Sequence, residues 1–189
     1  MKKVKVLLAC CVFVFIAVAV VLLRVTALYN QIGAQRQFKK ALESHNAAAI
    51  KRLLKQGVNP DTVFSDYDTD DTITVLKYKL LGEEPRLSER LFEERYTGVG
   101  YVTLHDDYEI AQLLLERGAS ANPKACFTGS TPLGIAAFQD HYKMCELLLR
   151  HGASPNGSCK GRTAMLCAKA WKDKKLILLL KKYGGKASP

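Results

Sequence analysis

The sequence predicts an all-α solenoid of about four stacked helix pairs, preceded by one N-terminal transmembrane helix. Two observations carry that expectation. The first is internal repetition: Thr131 to Gly152 (TPLGIAAFQDHYKMCELLLRHG) and Thr163 to Gly184 (TAMLCAKAWKDKKLILLLKKYG) each take 21 steps from threonine to glycine, as does the fainter copy Thr97 to Gly118. A still earlier copy ends in AAAIKRLLKQGVNPD, with Gly57 and Asp61 at its close. Self-similarity at a period of 32 to 34 residues marks units that cannot bury an apolar face alone and do so against their neighbours. The second observation is an uncharged apolar run close to the N-terminus.

That run comes first in the chain. Met1-Lys2-Lys3-Val4-Lys5 precedes Val6 to Leu23, 18 residues with no charge and no strong hydrogen-bonding side chain. As a helix it would be about 27 Å long, close to the hydrocarbon thickness of a bilayer. An uncleaved signal anchor is favoured, because a cleaved signal peptide has an apolar region of only about 7 to 15 residues. Val25-Thr26-Ala27 nevertheless offers a small-residue cleavage site, so a cleaved signal and a soluble periplasmic product stay open as the alternative. A lipid-modified cysteine in Leu7-Leu8-Ala9-Cys10 is disfavoured, since almost no apolar region precedes it. Lys2, Lys3 and Lys5 crowd one flank and only Arg24 lies near the other, which puts the N-terminus in the cytoplasm and the repeats outside it. Arg36, Lys39 and Lys40 farther along reduce that asymmetry. The short MKK opening looks bacterial, which makes the membrane the inner membrane and the outer compartment the periplasm.

Residues 1–33 are thus the anchor and a short linker, and 34–189 the repeat domain, with repeats at about 34–61, 62–122, 123–157 and 158–189. The second repeat is too long: Gly57 and Gly118 are 61 residues apart where about 33 would suffice. The surplus falls within 62–96. It includes Ile73 to Leu81 (ITVLKYKLL), readable as a strand or a buried extended segment, and Glu83 to Tyr96 (EEPRLSERLFEERY), an amphipathic helical pattern with Pro85 near its start. The apolar content suits a packed functional insertion better than a solvated linker. Charge is also segmented. Residues 61–96 carry ten acidic and five basic side chains, whereas 159–189 carry nine basic and one acidic. The basic end reads as a solubilising cap, as a surface for an acidic protein, or as one for anionic headgroups.

The repeats resemble the ankyrin repeat, whose pattern runs turn, T-P-L-H-x-A, helix, a second helix ending L-L-L, then G-A and a hairpin. Thr131-Pro132-Leu133, Ala136-Ala137, Leu147-Leu148-Leu149 and Gly152-Ala153 carry the likeness, supported by the segments GASAN and GASPN. The motif histidine is replaced by Gly134, by Gly100 in the preceding copy and by Leu166 in the following one. The hydrogen bonds which that histidine makes between hairpin and helix must therefore be replaced or absent. The resemblance covers about residues 36 to 189 and implies a non-catalytic protein-binding module that uses hairpin tips and the ends of the first helices. Carried onto this chain, the binding residues are Leu104, His105, Phe127, Thr128, Ser130, Phe138, Gln139, Lys160, Arg162 and Trp171. Phe138 and Trp171 stand 33 residues apart on the same side of successive units, as interface anchors do.

Chemistry-bearing motifs are scarce. Asp66-Tyr67-Asp68-Thr69-Asp70-Asp71 resembles the start of a calcium loop, but Asp71 replaces the glycine and Lys77 the final glutamate. His105-Asp106-Asp107 falls at a turn where polar residues are expected. No phosphate loop, nucleophile elbow or metal-spaced histidine pair occurs, so no enzyme, cofactor, metal or small-molecule substrate is expected. Basic residues without an aromatic stacking platform argue against nucleic acid. Cys10 and Cys11 lie in the membrane segment, and Cys145 and Cys167 take apolar helix positions. Cys126 and Cys159 lie near neighbouring hairpin tips. An oxidising compartment would permit a disulfide between them, against which stands a repeat spacing close to the limit of about 7 Å between Cα atoms. Within the protein-binding reading, an immunity protein neutralising a toxin and a helper or anchor for an envelope enzyme both suit a small tethered binder. A remote alternative is an enzymatic site in the insertion.

Overall fold

The computed structural model describes residues 2–65, 95–123 and 129–186, and the chain divides into two compact units. Among the described residues, the first unit is the helix α1 (Lys2–Glu43) as far as Arg36. Phe13 and Phe15 are 78 % and 76 % exposed, and Val14, Ile16, Val18, Val21, Leu22 and Leu23 are exposed as well. These positions point all around the helix, so the stretch from Val12 to Leu23 has no polar side to turn to water. By length and composition α1 can cross a membrane, and a signal sequence near the N-terminus meets the same description.

The second unit, from Gln37 onward, is the stack of helix pairs. After the end of α1 come α2 (Ala47–Lys55), β1 (Val63–Ser65), β2 (Arg95–Thr97), α3 (Gly98–Leu104) and α4 (Tyr108–Glu116). Then follow α5 (Pro132–Phe138), α6 (Tyr142–Arg150), β3 (Ser158–Cys159), β4 (Arg162–Thr163), α7 (Ala164–Ala170) and α8 (Lys174–Lys182). The first helices α3, α5 and α7 pack in one row and the second helices α2, α4, α6 and α8 in another. Between them runs a shared core that includes Phe38, Leu42, Ile50, Leu114, Met144, Leu148, Met165 and Leu180.

The same local rules recur in each copy. Thr97, Thr131 and Thr163 cap the first helices, each accepting from the N–H three residues on, at 3.3, 3.1 and 3.3 Å. Pro132 fills the first helical turn, where its missing N–H is harmless. Each first helix stops at a left-handed residue, His45, Asp106, Asp140 or Lys172, with φ of 50°, 54°, 62° and 57°. A side chain there costs about 1 kcal/mol, which the following helix must offset. Asn46, Asp107 and Asp173 then cap the second helices, whereas His141 makes no cap hydrogen bond. The second helices end at Gly57, Gly118, Gly152 and Gly184, with φ of 83° to 89°, the left-handed stop that glycine supplies freely.

The insertion enters at a hairpin. β1 pairs antiparallel with β2, Val63 opposite Thr97 and Phe64 opposite Tyr96, just as β3 pairs with β4, Ser158 opposite Thr163 and Cys159 opposite Arg162. In the last repeat the tip is Lys160-Gly161, both at positive φ, a two-residue type I′ turn. In the second repeat 29 residues separate Ser65 from Arg95 in the sequence in place of that two-residue tip. Arg95 and Tyr96, expected to close a helical pattern, are instead strand, because Tyr96 is held in the core beside Phe64 and Tyr101 at centroid distances of 6.0 and 5.4 Å. The acidic stretch Asp66 to Asp71, Ile73 to Leu81 and Glu83 to Glu94 lie outside the described residues.

Gly134, which stands at the motif histidine position, has a purpose of its own. A Cβ there would collide with the Ser158 carbonyl and lie 2.7 Å from the Cys159 nitrogen. The hairpin therefore lies directly on the start of α5. The Thr131 N–H donates to the Ser158 carbonyl at 2.8 Å, so a backbone bond joins hairpin to helix where the family uses an imidazole. Gly134→Ala should destabilise the domain by about 1 to 3 kcal/mol through overpacking, read as a lowered urea midpoint. Burial, and after it the Asp140 and Asp173 carboxylates, push the Cys145 thiol up to about 12. Cys167 is also raised, by burial and then by Cys159. The folded state thus holds these protons more tightly than the unfolded chain, so their contribution persists below about pH 9 and falls as pH rises toward the folded values. At about pH 8 a thiol reagent should leave Cys145 unmodified until the domain is unfolded.

Candidate protein-binding surface

The repeats are stitched together at two levels. On the hairpin side Asp61 Oδ1 accepts from the Ser120 N–H at 2.8 Å, Asn122 Oδ1 from Ser154 at 2.7 Å and Asn156 Oδ1 from Lys186 at 2.9 Å. Each is a side chain of one repeat satisfying a backbone donor in the next. These three equivalent positions follow the glycine stop by four residues, a regularity visible in GVNPD, GASAN and GASPN.

Where the first helices end, two of the residues capping them reach back one repeat. Gln139 Nε2 donates to the Leu104 carbonyl at 3.2 Å, and Trp171 Nε1 to the Phe138 carbonyl at 3.0 Å. The Lys160 ammonium lies 5.5 Å from the Phe138 ring centroid, a cation–π contact worth about 0.5–1 kcal/mol at an exposed site. Beneath them Ile135 and Cys159 are buried together, with Leu104 and Phe138 packed against them. Five residues expected to form the binding surface, Leu104, Phe138, Gln139, Lys160 and Trp171, are therefore brought into one contiguous patch spanning three repeats.

The remaining expected residues fall elsewhere or beneath it. His105 caps α3 and is exposed, its ring 4.5 Å from Tyr101 and 6.0 Å from His45 between centroids. Arg162 is exposed in β4. Ser130 is only 4 % exposed, and its hydroxyl has no hydrogen-bond partner among the described residues. Phe127, Thr128 and Cys126 lie outside the described residues. Cys159 itself carries a buried free thiol, placed under Phe138 rather than at the solvent-facing tip. Sequence reasoning missed Ile135 and Cys159 as the floor of the patch, although Ile135 is four residues after Thr131 and so belongs to the same helical turn.

Of the turn residues His105-Asp106-Asp107, the two aspartates face histidines of neighbouring repeats. Asp107 caps α4 through Oδ1, 3.1 Å from the Ile110 N–H, and meets His45 Nδ1 through Oδ2 at 2.7 Å. Asp106 lies 3.2 Å from His141 Nδ1, within ion-pair reach but not aligned as a hydrogen bond, since His141 Nδ1 has no hydrogen-bond partner. Adjacent repeats are thus linked by histidine and aspartate at their helix turns.

The exposed feature that dominates the patch is Trp171. The indole is 55 % exposed, yet its N–H is already anchored, so the ring is fixed in place rather than swinging freely. That combination of a large apolar face with little conformational freedom left to lose favours binding to another macromolecular surface. Such an arrangement, two helix rows with hairpins on one edge and an anchored aromatic patch on its surface, defines a helical solenoid that acts as a protein-interaction module. The family model for ankyrin repeats (3 copies) matches residues 99–188, and that part of the chain is made of ankyrin repeats. No curated protein matches the chain. Trp171 is the chain's single tryptophan. Its fluorescence should be accessible to acrylamide, and Trp171→Phe, which loses the N–H bond, should lower stability by only about 1 kcal/mol.

Proposed function

We propose that this protein is a non-catalytic binder of another protein, held at the bacterial inner membrane by α1 with its repeats in the periplasm. The observation that carries the reading is the anchored, half-exposed Trp171 beside the Lys160–Phe138 pair. Aromatic side chains in a fixed arrangement bind with little entropy lost, and truncation of such anchors removes most of an interface's energy. Asp107 and Asp173 are engaged in capping, and Asp106 and Asp107 face histidines of neighbouring repeats. The apolar circumference of α1 supports the tether, and the lysines at positions 2, 3 and 5 support a cytoplasmic N-terminus. A small tethered binder of this kind suits an immunity protein that neutralises a toxin. A helper or anchor for an envelope enzyme is the second reading, favoured by the large insertion at the hairpin of the second repeat, an additional contact region beyond the patch.

Affinity capture from envelope extracts identifies the partner, and substitution then tests the surface. Trp171→Ala and Phe138→Ala should each weaken binding by about thirtyfold, equivalent to roughly 2 kcal/mol, with helical content nearly unchanged. Equal affinity of the wild type and both variants would move the binding site elsewhere. For topology, alkaline phosphatase fused after Pro189 should be active and should remain with the membrane. An inactive fusion would reverse the orientation, and a soluble product beginning near Leu28 would show that the segment is cleaved.

A further inference from the structure

The solvent side of α8 carries a second surface, separate from the Trp171 patch. Six residues after the left-handed turn residue, the repeats have Lys51, Gln112, Glu146 and then Leu178. A polar position has become leucine in the last copy alone, and Leu178 is 66 % exposed. Helical neighbours three and four residues away surround a side chain on both sides. For Leu178 all four, Lys174, Lys175, Lys181 and Lys182, are lysines and all are exposed. None forms an ion pair with a described residue.

Capping explains only part of this. A repeat whose outer side meets water presents polar side chains there. Lys181 does so, standing where Leu54, Leu115 and Leu149 stand in the earlier copies. Leu178 works against that purpose, because it replaces a polar side chain on a face that already met water. Four unpaired ammonium groups around one apolar side chain instead reproduce an interface in miniature, an apolar centre within a charged rim.

We propose that this face of α8 docks an acidic protein segment, with carboxylates meeting the four lysines and an apolar socket receiving Leu178. The two kinds of anionic partner differ in how much apolar surface they demand. Membrane insertion draws on several apolar side chains along one helix face, but Leu176, Leu179 and Leu180 are buried in the stack, which leaves Leu178 as the exposed apolar residue of α8. A protein surface needs only one anchor if the rim is complementary, and the uncompensated positive charge also speeds encounter with an acidic partner.

The test uses the full chain in zwitterionic nanodiscs and a fluorescent glutamate-rich peptide with a central leucine–phenylalanine pair. Saturable, salt-sensitive binding is expected. Leu178→Ser should weaken it about tenfold, as should the pair Lys174→Gln and Lys181→Gln, whereas Trp171→Ala should leave it unchanged. That last arm separates this face from the patch of the proposed function. Circular dichroism verifies that the exposed-site variants stay folded. Wild-type affinity of Leu178→Ser would reduce the contact to unspecific charge attraction and overturn the proposal. Absence of peptide binding would overturn it as well, and α8 protected from hydrogen exchange by phosphatidylglycerol nanodiscs in place of the peptide would assign the face to lipid.

Discussion

Each helix pair in this chain can bury its leucines only against the next pair, and nearly every other feature answers to that constraint. Leu115 and Leu149 are buried although they lie at the edge of their own helices, because the following repeat covers them. The cover has to come close. Gly134 lets the β3 backbone rest on α5, where any side chain would hold the hairpin away and open the apolar seam to water. In the last described repeat the position of Leu115 and Leu149 is taken by Lys181, which is exposed.

Repetition also fixes where polar groups go. A stack brings equivalent backbone donors and side-chain acceptors to a constant separation, so one residue type can serve every junction. Asp61, Asn122 and Asn156 do so on the hairpin side. At the helix turns Asp106 and Asp107 meet His141 and His45. These links run along the stack rather than within a repeat, and the hairpin-side ones satisfy backbone donors of the next repeat. Because the stitching uses positions behind the hairpin, the tip is free to vary. The second repeat exploits that freedom by carrying a long segment between the paired strands β1 and β2.

Function is left to what projects from this frame. The last repeat carries nine basic residues from Lys160 to Lys186 and one carboxylate, Asp173, and that carboxylate is occupied in capping α8 through the N–H groups of Lys175 and Leu176. Its positive charge is therefore uncompensated locally. Beside it Trp171 bridges back to the third repeat, so the part of the molecule with the largest net charge also holds its most exposed anchored aromatic ring. Charge attracts at a distance and an apolar anchor gives affinity on contact, a division of labour suited to recognition.

The sequence by itself determined the period, the helix pairs, their glycine stops and threonine caps, and the apolar N-terminal helix. These depend on contacts within a few residues or on composition, which a repeat displays several times over. It placed Phe138 and Trp171 on one side of successive units, whereas the structure makes Gln139 the counterpart of Trp171, each capping its first helix, with Phe138 one residue earlier. Only the tertiary structure decided that Trp171 is tied to the Phe138 carbonyl, that Lys160 lies over the Phe138 ring, and that Cys159 is buried beneath them, since each contact joins neighbouring repeats across a hairpin. It likewise turned the substitution at Gly134 from a missing histidine into a point of backbone contact, and Arg95 and Tyr96 from helix into strand. In each case the outcome depended on how closely two backbones approach, a distance set by the packing of whole helices against one another and not by the residues at the position concerned.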